Sequence, residues 1–433
     1  MNRSTPVSVP PGARKSSRGD DAATPGLELV GTTWQVRGHD EVRHVLRSGV
    51  VVQAGFAAET VHGRSSRPAR RRARRPWRRP TGPAQAATGP TRASTGRATP
   101  VLYAHGEEHR AQRRAIARYF TPAAVRTTYR GLMEERADDL VAQIASGGRV
   151  DLAAVTMRYS VEVASRVVGL TESDVAGMTR RLSRFFEVTP PLPVDTRERR
   201  SRLASWMAVL RGTRMTLPLV AFDRHDVRPA VTARRARPQT DVISHLLASG
   251  YSDAEILTEC ITYAAAGMVT TREFISMAAW HLLTHEPVRR DYLAADETGR
   301  HRILHEILRL EPVVGHLYRR ANAPLEFDDG TVVPAGALLD LHVRGANADE
   351  GAVGPDPLSL CPHRSTAPGV RDEALAFGDG SHRCPGNALA IAESDVFLTR
   401  LLALPVRLVS APRLEWDELI SGYVVRDIEL EAG

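Results

Sequence analysis

Apolar residues recur every three or four positions along most of the chain beyond residue 106, a spacing that predicts amphipathic helices. The same spacing earlier in the chain predicts one short helix over His39–Ser48. The other predicted helices span Glu107–Phe120, Pro122–Ser146, 151–169, 172–187, 197–216, 300–310 and 386–404. Between them, Phe222–Gln239 is polar and rich in arginine, which we interpret as a connector. Helix is therefore the dominant predicted element.

One further helix is predicted to be much longer than the others. Ser252 and Glu255 have the spacing of a capping box, in which each side chain binds the other residue's backbone N–H. No proline follows until Pro287. The interval allows a helix of about 30 residues, or about 45 Å, which would cross a whole domain.

Alternating patterns typical of strands are few. Leu27–Val36 predicts one short strand, and strand-like pieces lie within residues 323–343, between turn signals. The tract Gly345–Ser381 has no regular pattern and is expected to be irregular. The predicted fold class is therefore mainly α with a minor β portion.

The chain contains only three cysteines, Cys260, Cys361 and Cys384, and no CxxC pair. This excludes a disulfide scaffold and a cysteine-rich zinc site, and it favours a reducing compartment. No run approaches the ~18 apolar residues of a membrane span, and the N-terminus has no apolar core of a signal peptide. We therefore expect a cytoplasmic protein that is not embedded in a membrane.

The net charge of +8 comes from one segment. No acidic residue occurs between Glu59 and Glu107, and that interval holds 11 arginines; without them the +8 becomes −3. Residues 62–100 contain Trp77 and alanines as their only apolar residues, which favours disorder or an atypical loop.

Three interpretations of this segment are open: a solvated surface loop, a tether for an anionic partner, or an abnormal insertion. Arginine runs bind phosphate, but here aromatic residues are not interleaved with them, so nucleic acid is not the partner we expect.

The chemistry is concentrated in Phe377-Gly378-Asp379-Gly380-Ser381-His382-Arg383-Cys384-Pro385-Gly386. Glycines allow the backbone to approach a flat ligand closely. Cys384 stands just before a predicted helix, where amide donors and the helix dipole favour a thiolate. A thiolate presented in this way is a soft axial ligand for haem iron.

This segment resembles the signature FGxGxHxCxG of the cytochrome P450 family, which it matches at every fixed position. The resemblance implies one large domain, residues 26–433, folded as a triangular helical prism with small sheets. That domain would follow a disordered N-terminus (1–25) and be interrupted by residues 62–100. The resemblance further implies haem b, with Cys384 as the iron ligand and Phe377, Gly378, His382 and Gly386 among the haem-binding residues.

Two further motifs of the family are present. Glu306 and Arg309 match its ExxR element, 78 residues before the cysteine, and this implies a structural role in holding the haem-side loop. Ala266, Gly267 and Thr270 lie in a stretch similar to its AGxxTT oxygen-binding motif. Small residues there let haem and oxygen approach, and the threonine hydroxyl can bond back to the i−4 carbonyl and open a groove. The resemblance assigns Thr270 to proton delivery.

Four residues are candidates for binding the haem propionates. His109 and Arg113 fit the family's HxxxR pattern at i and i+4 of one helix, and Arg319 fits its RxA position. With His382 they would supply the donors for two carboxylates.

The sequence departs from the family in several places. Val269 stands where an acid usually precedes the threonine, so we expect proton delivery to be slowed or rerouted. Pro385 has no N–H to donate to the sulfur, which should lower the iron potential. The family's arginine that joins the ExxR pair falls at Ser359, with Arg364 as a candidate substitute.

The resemblance implies a monooxygenase that inserts one atom of O2 into a small organic substrate, in secondary metabolism. No flavin or iron–sulfur motif occurs, so electrons would come from a ferredoxin and its reductase. Two alternatives are an atypical member that performs coupling or peroxide-driven chemistry, because of Val269, and a haem-binding but inactive protein.

Overall fold

Helices form most of the part of the chain that the structure describes. A computed structural model describes residues 13–16, 26–55, 99–146, 148–188, 217–418 and 420–433. The longer helices are α1 (His39–Arg47), α2 (Gly106–Ala117), α3 (Pro122–Ala124, the π-helical turn Val125–Tyr129 and Arg130–Ser146), α4 (Leu152–Val168), α5 (Val175–Val188), α6 (217–222, the π-helical turn Asp223–Val227 and Arg228–Ala236), α7 (Val242–Ala248), α8 (Asp253–Tyr263, the π-helical turn Ala264–Val269 and Thr270–Thr284), α9 (Glu286–Ala294) and α10 (Glu297–Leu310). The short helices α11 (Val343–Ala346) and α12 (Glu350–Val353) and the long α13 (Asn387–Ala403) follow.

The strands are short and lie mostly late in the chain. They are β1 (Leu27–Val30), β2 (Thr33–Val36), β3 (Val51–Ala54), β4 (Arg149–Asp151), β5 (His316–Ala321), β6 (Leu325–Glu326), β7 (Val332–Val333), β8 (Leu338–His342), β9 (Val406–Leu408), β10 (Arg413–Asp417), β11 (Gly422–Arg426) and β12 (Glu429–Ala432). The largest sheet has the order β1-β2-β8-β5-β3, in which only the β2–β8 pair is parallel. A second sheet has the order β4-β12-β9, and β6–β7 and β10–β11 form hairpins.

The main core lies between helices. α13 packs against α3 and α4, where the Tyr159 and Phe397 rings lie 5.1 Å apart and both side chains are fully buried. α8 packs against α4, and the hydroxyls of Thr156 and Ser276 meet there at 3.2 Å. A second apolar cluster joins α1 to the five-stranded sheet through Val42, Val45 and Leu341 among others. The predicted class, mainly α with a minor β portion, is confirmed.

The long helix is confirmed. Ser252 and Glu255 form both hydrogen bonds of the capping box, and α8 runs from Asp253 to Thr284. One π-helical turn, Ala264–Val269, interrupts the helix in the stretch that resembles the oxygen-binding motif.

The interpretation of Phe222–Gln239 as a connector is wrong, because most of it belongs to α6. Phe222, Val227, Ala230 and Val231 are buried at helical spacing, and the arginines lie largely on the other side. The many charged residues of this segment obscured the narrow stripe of apolar residues that predicts an amphipathic helix.

The strand expected over Leu27–Val36 is two strands, β1 and β2, joined by a turn at Gly31 with φ of +60°. Strand β5 and the C-terminal strands β9–β12 have no counterpart among the predicted elements.

Several predictions lie outside the described residues, namely helix 197–216 and nearly all of the arginine-rich segment 62–100. Within residues 1–25, which were expected to be disordered, the four residues 13–16 are described and are fixed to the body of the protein. Ala13 forms a β-bridge with Ser359, and the backbone N–H groups of Lys15 and Ser16 donate to Glu311. Among the described residues, no helix combines the length and the apolar character required to cross a membrane.

Candidate active site

The loop Phe377–Gly386 turns sharply before α13. The Cys384 N–H donates to the Phe377 carbonyl at 2.8 Å, which closes the loop. Gly378 and Gly380 have φ of +69° and +65°, in the left-handed region that favours glycine. A Cβ at position 380 would also collide with the carbonyl oxygen of Leu46. The glycines therefore fix how the cysteine is presented.

Cys384 is partly buried in an electropositive environment. Burial raises the pKa of the thiol, while the Gly386 amide and the charges of Arg113 and Arg383 act to lower it. An Arg113 guanidinium nitrogen donates to the Arg383 carbonyl at 2.6 Å, which ties α2 to the loop. Because Pro385 has no N–H, the Gly386 amide is the backbone donor that acts on the sulfur. A sulfur in this setting can bind a soft metal centre as thiolate.

Asp379 anchors the same loop to α1. Its carboxylate accepts a bond from Arg47 at 2.8 Å and lies 3.5 Å from Arg43 and from Arg371. Burial acts to raise the Asp379 pKa, but the Gly380 N–H and the Arg47 side chain outweigh it, so this pKa lies below its usual range. Asp379 was not among the predicted site residues, because it occupies a variable position of the motif.

A cluster of basic side chains lies beside the loop. The His109 and His382 rings stack with centroids 3.9 Å apart, and His105 meets His382 edge-on at 6.1 Å. Burial, followed by the charges of His109, Arg319, His105 and Arg113, lowers the His382 pKa to about 2. Both stacked histidines are therefore neutral and can donate one hydrogen bond each. His105 was not predicted, although it lies four residues before His109.

Arg319 is the most unusual member of this basic cluster. The residue is 4% exposed, and burial lowers the pKa of its guanidinium to about 10. It donates to the carbonyl of the neighbouring Tyr318 at 2.8 Å. None of Arg113, Arg319, His109 and His382 forms an ion pair with another described residue.

A buried cation without a counter-ion among the described residues, as Arg319 is, is costly, so this arrangement fits a ligand that brings negative charge. The two propionates of a haem would supply it. The residues present therefore fit haem: Cys384 would hold its iron, and the side chains of this cluster would hold its propionates.

The ExxR element is buried and joined by a third residue. Both Glu306 oxygens accept from Arg309, at 2.7 and 2.8 Å, and Arg364 donates to Glu306 at 3.2 Å. Arg309 also donates to the carbonyls of Asn347 and Pro357. The candidate substitute Arg364 thus occupies the position expected for the third member, whereas Ser359 contributes its carbonyl.

The π-helical turn of α8 coincides with the predicted oxygen-binding motif. The Thr270 hydroxyl donates to the Ala266 carbonyl at 2.7 Å, as the sequence led us to expect. Apart from the helix itself, no atom of the described residues lies within 4 Å of where a Cβ on Gly267 would stand. Val269 is buried in an apolar cluster with Ile420 and Val424. The turn therefore carries the Thr270 hydroxyl but no carboxyl group at position 269.

Phe120 connects the two halves of the site. Its ring stacks on Tyr263, directly before the π-helical turn, with centroids 6.3 Å apart. A carbon of the same ring lies 4.0 Å from where a Cβ on Gly386, in the cysteine loop, would stand. The charge of Arg113 acts on both Cys384 and Tyr263. The structure thus brings the cysteine loop and the oxygen-binding motif to one region.

Comparison with known proteins identifies a family whose profile covers part of this site. A profile of the cytochrome P450 family matches residues 301–404, which include the ExxR element and the cysteine loop. Cytochrome P450 130 of Mycobacterium tuberculosis is 32% identical over 212 residues, 46% of this chain and 49% of that protein. The 20-oxo-5-O-mycaminosyltylactone 23-monooxygenase of Streptomyces fradiae is 33% identical over 186 residues, 42% of each chain. The matched segments thus span about half the length of these relatives.

A solved structure, that of a mutant of P450 EryK in complex with erythromycin B, shares the fold. It superposes with a TM-score of 0.70 at 22% identity, over 94% of this chain and 93% of that one. The family profile thus covers the ExxR element and the cysteine loop, and the superposition shows that this chain has the cytochrome P450 fold.

Proposed function

We propose that this protein is a haem-thiolate monooxygenase that inserts one atom of O2 into a small organic substrate. The observation that carries the proposal is the partly buried Cys384 sulfur beside Arg113 and the Gly386 amide, next to a buried Arg319 that has no counter-ion among the described residues. In this proposal Cys384 holds the iron of haem b, and Arg113, Arg319, His109 and His382 hold the propionates. Bound haem supplies the binding and two-electron activation of O2.

The remaining chemistry belongs to the chain's own residues. The Thr270 hydroxyl donates its proton to the Ala266 carbonyl, so its oxygen lone pairs remain available to accept a hydrogen bond. A hydroxyl in this position can accept a hydrogen bond from a water molecule and so hold that water, a proton donor, at the turn. Val269 contributes no acid, so protons reach Thr270 from solvent. Slow proton delivery is the expected consequence.

The relatives support a role in secondary metabolism. One bears the name of a 23-monooxygenase of 20-oxo-5-O-mycaminosyltylactone, and one structural neighbour holds erythromycin B. We propose a substrate of comparable chemical class, electrons from a ferredoxin and its reductase, and a cytoplasmic location. Nucleic acid has no part in this proposal.

Spectra of the reduced, CO-bound protein test the assignment of the ligand. Wild-type protein should show the red-shifted band of thiolate-ligated haem, and Cys384→Ser should lose it. Cys361→Ser, at an exposed cysteine, is the matched control and should keep the band. A wild-type spectrum without this band would favour the inactive haem-binding protein and contradict the proposal.

Val269 favours a second candidate function, peroxide-driven or coupling chemistry, because neither depends on the same supply of protons. Turnover of a substrate panel with a surrogate ferredoxin system should be compared with turnover by peroxide. Faster product formation with ferredoxin, reductase and O2 supports the monooxygenase. Product formation with peroxide alone would support the second candidate.

A further inference from the structure

Three strands of the large sheet bring a group of polar residues to one face. The register pairs Gln35 of β2 with Asp340 of β8, and His316 of β5 with His342 of β8. Directly paired residues point to the same face of a sheet, as do residues two apart on one strand. Gln35, Asp340, His342 and His316 therefore share one face.

The side chains on this face meet closely. His316 Nδ1 lies 2.8 Å from one Asp340 carboxylate oxygen, and His342 Nε2 lies 3.8 Å from the other. His342 Nε2 also lies 2.5 Å from the Gln35 amide oxygen. The two imidazole rings have centroids 4.3 Å apart. One ligand atom from each of His316, Asp340 and His342 falls within 4.8 Å of the other two.

We propose that His316, Asp340 and His342 form a binding site for a divalent transition metal, zinc being the ion whose chemistry fits best. Two imidazoles and one carboxylate are a ligand set that Zn²⁺ accepts, with an oxygen donor in the fourth position. Ligand atoms in a tetrahedral zinc site lie about 3.3 Å apart, given bonds of about 2.0 Å. The present spacings need only small side-chain shifts to reach that value.

Gln35 supplies the oxygen next to the fourth position. When metal replaces the proton of His342 Nε2, the amide oxygen that now faces this nitrogen faces the metal instead. The site is also protected, because His316 is 4% and His342 1% exposed, while the Asp340 side chain, 13% exposed, gives solvent a way in. His316 Nε2 is buried and has no hydrogen-bond partner among the described atoms.

The site is separate from the haem-binding cluster. His316 and Arg319 lie three positions apart on β5 and so point to opposite faces of the sheet. The hairpin β10–β11 covers the metal-site face, where the Trp416 ring meets His316 edge-on at 5.7 Å. The turn of this hairpin carries Ile420, which packs against Val269 of α8. Bound metal should therefore stiffen the sheet on which this hairpin rests.

Zinc titration of the haem-loaded, tag-free protein after chelator treatment tests the site. Calorimetry should give one Zn²⁺ per wild-type chain, and zinc should raise the thermal midpoint. Asp340→Ala and His316→Gln should each weaken binding about tenfold or more and abolish the thermal shift. His342→Gln removes the remaining ligand and should have the same effect, so it replaces either of the other variants if one of them folds poorly.

His39 offers the matched control. It is a buried histidine whose Nδ1 lies 3.2 Å from Asp40, a histidine–carboxylate pair without a second imidazole. His39→Gln should keep the wild-type stoichiometry and affinity. The proposal would be overturned, and the cluster would be a hydrogen-bond network only, if the wild-type protein bound no zinc or if Asp340→Ala and His342→Gln bound it as tightly as wild type.

Discussion

Arg364 donates a hydrogen bond from Nε to a carboxylate oxygen of Glu306 at 3.2 Å, across 58 residues of sequence. Its other nitrogens donate to the carbonyls of Val353, Pro355, Asp356 and Ser359, at 2.7 to 3.1 Å. One side chain thus fixes an irregular segment onto α10. The segment leads on to the cysteine loop, so Arg364 contributes to the rigidity of the loop that presents Cys384.

Arg364→Ala should lower the free energy of unfolding by about 2–4 kcal/mol, because several acceptors lose their donor at once. It should also increase the fraction of protein that shows the spectrum of displaced thiolate. Denaturant unfolding and the reduced CO spectrum measure the two effects.

Arg110→Ala is the comparison for this substitution. The Arg110 side chain, which pairs with Glu107, is 59% exposed. Its removal should therefore lower the free energy of unfolding by less than about 1 kcal/mol. If Arg364→Ala and Arg110→Ala lowered the free energy of unfolding by similar amounts, the buried hydrogen bonds of Arg364 would add no stability beyond that of a surface ion pair.

Features encoded by neighbouring residues could be predicted from the sequence. The capping box at Ser252, the bond from Thr270 to Ala266 and the tight cysteine loop each depend on residues within a few positions of one another. Local stereochemistry decides such features, and a single sequence contains it.

Features that depend on tertiary pairing were beyond reach of the sequence. His316, Asp340 and Gln35 meet through the register of three strands, one of which has no clear strand pattern. The helix α6 was missed because its buried stripe is narrow and its other residues are charged. The sequence left two candidates, Ser359 and Arg364, for the residue that joins Glu306 and Arg309. The choice depends on the path of an irregular segment, whose carbonyls accept hydrogen bonds from Arg364.

Val269→Asp should affect stability and turnover in opposite directions. The side chain is buried among apolar residues, including Ile420 and Val424, and no described cation pairs with it there. An aspartate should therefore lower stability by about 2–4 kcal/mol. Turnover per haem-loaded molecule should rise, because a carboxyl directly before Thr270 adds a proton donor.

Val269→Ala separates packing from proton supply. It should lower stability by about 1–2 kcal/mol without raising turnover. Thermal unfolding and the rate of product formation, normalised to bound haem, give the comparison. Equal or slower turnover in Val269→Asp would count against the assignment of slow proton delivery to this position.

Glu259 should make stability fall as the pH rises. Burial raises its pKa from 4.5 to about 7, against the opposing effect of the Val101 N–H that donates to it at 3.0 Å. Between these values the unfolded chain releases the proton and the folded chain retains it, so stability decreases as pH rises through this window. Glu259→Gln stays neutral and can still accept from Val101. Its stability should therefore vary less across the window and exceed that of wild type at about pH 8.

Glu273→Gln provides the contrast for Glu259. Glu273 is equally buried, but its carboxylate accepts from Arg426 at 3.0 Å and pairs with Arg272. Loss of its charge should lower stability at about pH 8 instead of raising it. Denaturant unfolding across the pH range measures both effects. If Glu259→Gln and Glu273→Gln changed stability at about pH 8 in the same direction, the prediction for Glu259 would be refuted.

Arg319→Met should have opposite effects on the haem-free and the haem-loaded protein. In the haem-free protein the buried guanidinium has no described carboxylate partner, so its removal should raise stability by about 1–3 kcal/mol. In the loaded protein the same guanidinium would pair with a propionate, so the variant should bind haem at least about tenfold more weakly.

Arg309→Met distinguishes this behaviour from a general effect of removing a buried arginine. Arg309 is fully buried but bonded to Glu306 at 2.7 and 2.8 Å, so its loss should destabilise both forms. Thermal unfolding of each form, with haem transfer to an acceptor protein as the measure of affinity, gives the comparison. If Arg319→Met destabilised the haem-free protein as Arg309→Met does, Arg319 would be a structural residue and the propionate assignment would fail.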